Sequence, residues 1–299
     1  MRTRILQLAI LFLNGILFAG CVTDSANSVN KPSASTEKLV VALKPDKNPD
    51  QMRQEREALS KFLSERLNRQ VEVIIPLSAA VINEGFANGT IDIGYLSATD
   101  LINSKDGAEL LLAGEIDGKT NYQSYWLALK DKPYDSIEDL RGKPIAFASK
   151  TSTSGFIVPL WDLRKKNLIS ESGNPEEFFG AGNVFYGTGY VSAVERVLNN
   201  QAEAAAVSFY VLDENKHLSE EKRGKLKKIS EQGPVPTHVI AARKSLAAGE
   251  KTELKRAILA MNDDSNQALR DKVFTSKLVE TDQEQHLAQL REALSVVPK

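Results

Sequence analysis

The chain has 299 residues, with 38 Lys and Arg against 39 Asp and Glu, a formal net charge of −1, and 42% hydrophobic residues. Nothing in that balance suggests the clustered basic surface that a nucleic acid needs, and a lone cysteine excludes an internal disulfide. The length suits two modest lobes or one large domain.

Arg2 and Arg4, the apolar run from Ile5 to Phe18 and the small residues Ala19-Gly20 have the layout of a secretory signal. The run is shorter than the ~20 residues needed to span a bilayer. Leu17-Phe18-Ala19-Gly20-Cys21 resembles the lipobox of bacterial lipoproteins, with Phe18 where leucine is usual. The resemblance implies that residues 1–20 are a signal peptide and that Cys21 is acylated as the mature N-terminus. Residues 21–36 are rich in Ser, Asn and Thr and cannot bury a core, so they read as a flexible tether. The expected location is the extracytoplasmic (periplasmic) face of the cell envelope, with the lipid as the membrane attachment.

From there strands and helices alternate. Lys38–Leu43 reads as a buried strand. Gln51–Asn68 reads as an amphipathic helix with Leu59, Phe62, Leu63 and Leu67 at helical spacing. Val71–Ile75 is a strand ended by Pro76, Ala79–Asn88 a helix closed by Gly89, and Ile91–Tyr95 a strand. Ser97, just after it, either caps the next helix or faces a cleft. A second unit repeats the pattern: strand Pro144–Ala148, helix Gly155–Asn167, strand Asn183–Tyr186, helix Val191–Asn199, strand Ala204–Val207. Short crossovers of this kind favour parallel, doubly wound sheets.

Tyr122–Lys130 and Thr237–Ala242 read as two hinge strands joining the lobes, and the region from Lys244 onward as helices packed on the first lobe. The expected domains are residues 37–125 plus 238–299 for lobe 1 and 126–237 for lobe 2, with a ligand cleft between them. The expected architecture is α/β, two doubly wound lobes joined by two hinge strands, and it resembles the type II periplasmic-binding fold.

Thr151-Ser152-Thr153-Ser154 lies between a strand and a helix start. Helix starts leave N–H groups unpaired and carry partial positive charge, which suits an anion. One hydroxyl suffices as an N-cap, and four supply more donors than a cap needs. A cap with a polar loop and an oxyanion shelf both account for the run.

Asp139-Leu140-Arg141-Gly142-Lys143-Pro144-Ile145-Ala146-Phe147, then Ser152-Thr153-Ser154-Gly155-Phe156-Ile157-Val158-Pro159, resemble the strand entry and the STSG-hydrophobic-Pro signature of the substrate-binding proteins of ABC importers for phosphate, phosphite and phosphonate. Tyr122-Gln123-Ser124 looks like that family's tyrosine-bearing hinge strand. The resemblance implies a monomeric receptor that holds a small oxyanion on Ser152, Thr153 and Ser154, with Tyr122 as a further donor, and presents it to ABC permease subunits. It departs from the family at three places. Tyr190 stands where a histidine is usual, Ser208 and Tyr210 occupy the region of an expected acid, and a tyrosine near Ser78-Ala79-Ala80 is missing. Tyr190 either packs in the cleft wall or touches ligand, and Ser208 takes the acid's place. Without that acid an ammonium substituent loses a charge-assisted bond, about twice as strong as a neutral one, so aminoalkyl phosphonates are disfavoured.

Enzyme readings lack residues. His217, His238 and His286 show no metal-ligand spacing, no Walker glycine loop is present, and Ser154 lacks the GxSxG elbow. No cofactor or metal is expected. The other reading kept open is a sensory or partner-binding lipoprotein on the same fold.

Overall fold

The computed structural model describes residues 38–44, 50, 52–214, 217–274 and 276–298. The proposed signal peptide, Cys21 and the tether lie outside the described residues.

β1 (Leu39–Ala42), α1 (Arg53–Leu67), β2 (Val71–Ile74), α2 (Ala79–Asn88), β3 (Ile93–Leu96), α3 (Ala98–Asn103) and β4 (Ala108–Glu115) come first. They are followed by β5 (Asn121–Leu129), β6 (Ile145–Phe147), α4 (Val158–Lys165), α5 (Glu176–Phe179), β7 (Val184–Tyr186), α6 (Tyr190–Leu198), β8 (Ala204–Ser208), α7 (Tyr210–Asp213), α8 (Glu220–Gly224) and β9 (Leu226–Pro236). β10 (Val239–Arg243), α9 (Ala248–Leu259), α10 (Gln267–Val273), β11 (Lys277–Val279) and α11 (Gln283–Val296) complete the described chain.

Two sheets result, β11-β4-β10-β3-β1-β2 and β7-β6-β8-β5-β9. β1 runs parallel to β2 and β3, and β6 runs parallel to β7 and β8, as short βαβ crossovers require. The sheets are mixed rather than wholly parallel. β10 enters the first sheet antiparallel to β3 and β4, and β5 enters the second antiparallel to β8 and β9. Both strands arrive from the other lobe, so no βαβ crossover sets their direction.

The strand expected to bridge the lobes belongs wholly to one of them: β5 pairs with β9 from Asn121 onward, so the expected boundary at 125/126 falls inside it. The chain crosses at residues 116–120 and again at 237–238. Thr237 ties the two crossings together, its Oγ1 donating to the Gly114 carbonyl at 2.7 Å and to that of Thr120 at 3.0 Å.

The C-terminal region divides. Leu254, Ile258, Phe274 and Leu278 pack with Leu59 and Leu63 in the core of the first sheet, as expected. α11 does not follow them. It packs on α4 and β9 of the second lobe as well as on α3, and buries Leu287, Leu290 and Ala293 in a cluster with Ile82, Phe86 and Trp161. Its polar residues bond to one strand of each sheet: Gln283 Oε1 accepts from the Leu110 N–H of β4 (2.7 Å), and Gln289 Nε2 donates to the Gly233 carbonyl of β9 (3.1 Å). An apolar helix face must be covered, and here residues from both lobes cover it.

Candidate functional site

Ligand sites in doubly wound sheets lie beyond the carboxyl ends of the strands. Here those ends converge. Lys44 follows β1, Ser97 follows β3, Ser149 and Thr151 to Thr153 follow β6, Thr188 to Tyr190 follow β7, and Tyr210 follows β8. All line one cavity of about 480 Å³.

The hydroxyl run passes into a wide turn of π-helix, Thr153–Ile157, that leads into α4. Ser152 is its N-cap, Oγ accepting from the Gly155 N–H at 3.0 Å. Thr153 Oγ1 lies 2.7 Å from Thr99 Oγ1 on α3, a buried hydrogen bond from one lobe to the other. Ser154 points elsewhere. It is fully buried, and its Oγ is 2.6 Å from the Tyr190 hydroxyl and 3.4 Å from that of Tyr122. Its carbonyl accepts from Ser124 Oγ (2.6 Å), which in turn accepts from Gln232 Nε2 (2.7 Å).

Of the residues singled out from sequence, Ser152, Thr153, Tyr122, Tyr190 and Ser97 line the cavity. Ser154 and Ser208 are not in its wall. They sit beneath the tyrosines, Ser154 holding two phenols in place. Ser208 Oγ, fully buried, faces the Tyr122 and Tyr210 hydroxyls yet makes no hydrogen bond of normal geometry. Ser97 does both things read for it: Oγ caps α3 by accepting from the Asp100 N–H (3.1 Å) and donates to Asp100 Oδ2 (2.6 Å) in the cavity wall.

The aromatic residues form a tilted stack. Tyr190 meets Tyr210 edge-on at 5.7 Å, and Tyr210 stacks on His217 at 5.1 Å. Burial, with Tyr190 nearby, pushes the Tyr122 phenol far above its ordinary pKa, and burial does the same for Tyr210. Both are therefore neutral and able to donate to an anion. The stability linked to keeping them protonated is full below about pH 10 and is lost as pH climbs past it. In an alkaline titration followed by tyrosinate absorbance, Tyr122 and Tyr210 should stay protonated until unfolding; all seven tyrosines ionising as one class near pH ~10 would contradict this.

Sequence reasoning passed over Lys44, Asp100 and His238, the last considered only as a metal ligand. Lys44 Nζ is 2.8 Å from His238 Nε2, a pair 194 residues apart. The strand-end rule was the one signal that could have found Lys44, since it directly follows the first buried strand run. Asp213, another acid close to the aromatic stack, is engaged by the Tyr125 hydroxyl at 2.8 Å.

A profile of the phosphonate ABC transporter periplasmic substrate-binding proteins matches residues 41–286. The phosphate-import protein PhnD of Mycolicibacterium smegmatis is 24% identical over 252 residues, covering 79% of this chain and 78% of that protein. The phosphonates-binding periplasmic protein of Escherichia coli is 28% identical over 199 residues, covering 64% of this chain and 56% of its own length. Among solved structures, PhnD1 of Prochlorococcus marinus in complex with methylphosphonate aligns with a TM-score of 0.69 at 19% identity, covering 86% of this chain and 96% of that one. Identity that low speaks for the fold, and the profile speaks for the family. With its strand ends gathered around one hydroxyl-lined cavity and the profile matched over most of its length, the chain belongs to the periplasmic substrate-binding proteins of phosphonate ABC transporters.

Proposed function

We propose that this chain is a lipid-anchored, monomeric carrier that binds a small oxyanion of the phosphate, phosphite or phosphonate type on Ser152 and Thr153 and delivers it to an ABC permease. The observation that carries the reading is the convergence of those hydroxyls with the Tyr122 and Tyr190 phenols in one cavity. Neutral donors at a helix start bind an anion without a paired cation. The relatives support it: one is named for phosphate import, and one solved structure holds methylphosphonate.

The aminoalkyl preference remains disfavoured on this reading. Asp213 is committed to Tyr125, and Asp100, the carboxylate in the wall, is engaged by Ser97 in the first turn of α3. A thermal-shift screen of the chain from Ser25 onward tests the reading with phosphate, phosphite, methylphosphonate, aminoethylphosphonate and sulfate. A true ligand at about 100 times its Kd adds about 2.7 kcal/mol. Stabilisation by a phosphorus oxyanion supports the proposal, and a flat response to all of them contradicts it.

Cys21→Ser tests the anchor. The variant should appear in the soluble fraction or accumulate as unprocessed precursor. Normal cleavage with unchanged membrane retention would rule out acylation at Cys21.

A further inference from the structure

Among the described residues, Asp100 is the only carboxylate in the wall of the 480 Å³ cavity. It sits in the first turn of α3, beside the hydroxyl turn of the other lobe: Thr99, its chain neighbour, holds Thr153 Oγ1 at 2.7 Å. Asn83 of α2 steadies the same turn, Nδ2 donating to the Asp100 carbonyl at 3.1 Å. Asp100 Oδ2 takes the Ser97 hydroxyl at 2.6 Å, and Oδ1 has no hydrogen-bond partner among the described residues.

An ionised carboxylate only accepts. Next to an oxyanion it has two opposite effects. It repels an oxygen that brings charge alone. It binds an oxygen that brings a proton, in a charge-assisted bond about twice as strong as a neutral one. The hydroxyls of Ser152 and Thr153 and the phenols do not discriminate in this way, because each donates to any charged oxygen.

We propose that Asp100 is a specificity-determining residue that selects the protonated form of the oxyanion: a phosphate or phosphonate head donates its P–OH to Asp100 while its charged oxygens rest on Ser152 and Thr153. The acid adjoins the head, so it reads the head's own proton rather than a substituent. The inference rests on the oxyanion reading above and narrows it. Phosphate keeps a proton at neutral pH and sulfate has none, while methylphosphonate loses its proton at its second ionisation.

Titration calorimetry on the full chain with phosphate, sulfate and methylphosphonate tests the role. Phosphate should bind the wild-type protein about a hundredfold or more tighter than sulfate. Methylphosphonate affinity should fall about tenfold for each pH unit above the second ionisation, since one ligand proton is bound with it. Lys44, Tyr122, Tyr190, Tyr210, His217 and His238 share the wall and are titratable, so the profile is compared with that of Asp100→Asn, where all six remain. The variant keeps an oxygen for Ser97 and gains a donor. It should bind sulfate about tenfold or more tighter than the wild type does and flatten the methylphosphonate profile. Sulfate as tight as phosphate in the wild type, or a methylphosphonate affinity that holds or rises through the ionisation, overturns the role of Asp100 and leaves the oxyanion reading standing. These two wild-type results decide even where the variant does not fold. A folded variant that keeps the wild-type ratio and profile also overturns it. If none of the three ligands binds at any pH, the oxyanion reading falls and the role of Asp100 with it.

Discussion

Thr153→Ala is expected to weaken oxyanion binding by about ten- to a hundredfold, because a hydrogen bond to a charged group contributes about 1.5–3 kcal/mol. Thr153 lines the cavity, and its Oγ1 also meets Thr99 Oγ1 across the lobes at 2.7 Å. Two effects could therefore be confused: loss of a donor to ligand and loss of the interlobe bond. Thr99→Ala removes only the second, worth about 0.5–1.5 kcal/mol for a neutral pair. Calorimetry on both variants should give the larger loss at Thr153, with both proteins folded, since either cost is a fraction of the 5–15 kcal/mol of a typical domain. Equal losses would mean that Thr153 serves lobe closure and does not touch the ligand.

Gly155→Ala damages the same site by a different route. A Cβ built there would lie 2.4 Å from Ala148 Cβ, 2.8 Å from Ser152 Oγ and 3.2 Å from Tyr190 Cε1. Ala148 cannot retreat cheaply, since it directly follows β6 and its N–H donates to the Gly155 carbonyl at 3.0 Å. Overpacking of this kind costs about 1–3 kcal/mol, which for a domain of this size is about 2–10 °C in Tm. The displaced neighbours are the N-cap serine and the tyrosine covering Ser154, so affinity should fall by more than about a hundredfold. Gly224→Ala, where an added Cβ meets nothing within 4 Å, is the control and should bind as the wild type does. Wild-type affinity in Gly155→Ala would show that the hydroxyl turn is not the binding element.

The alternation of elements was legible because each strand is a short apolar run and each helix has an apolar face or a cap. The Ser97 cap and the Gly89 closure of α2 stand where local chemistry put them. Strand direction was less legible. Periodicity is the same for parallel and antiparallel pairing, so β5 and β10 carried no mark of their antiparallel entry. α11 shows an apolar face in sequence, but nothing in Leu287, Leu290 and Ala293 says which lobe they cover. Within the hydroxyl run, the division between Ser152 and Thr153 in the cavity wall and Ser154 beneath the phenols comes from the wide π turn, which composition does not encode. Lys44 and His238 are single polar residues with no motif, and only the two strand ends and the crossing bring them together.

The central claim is that an oxyanion sits on the hydroxyl turn between the lobes. The most direct test is a crystal structure of the chain from Ser25 onward grown with methylphosphonate. The account predicts phosphonate oxygens within about 2.5–3.2 Å of the Ser152 and Thr153 hydroxyls, with a phenol of Tyr122 or Tyr190 completing the shell. Phosphonate bound away from that turn, with Ser152 and Thr153 facing only water, would contradict it.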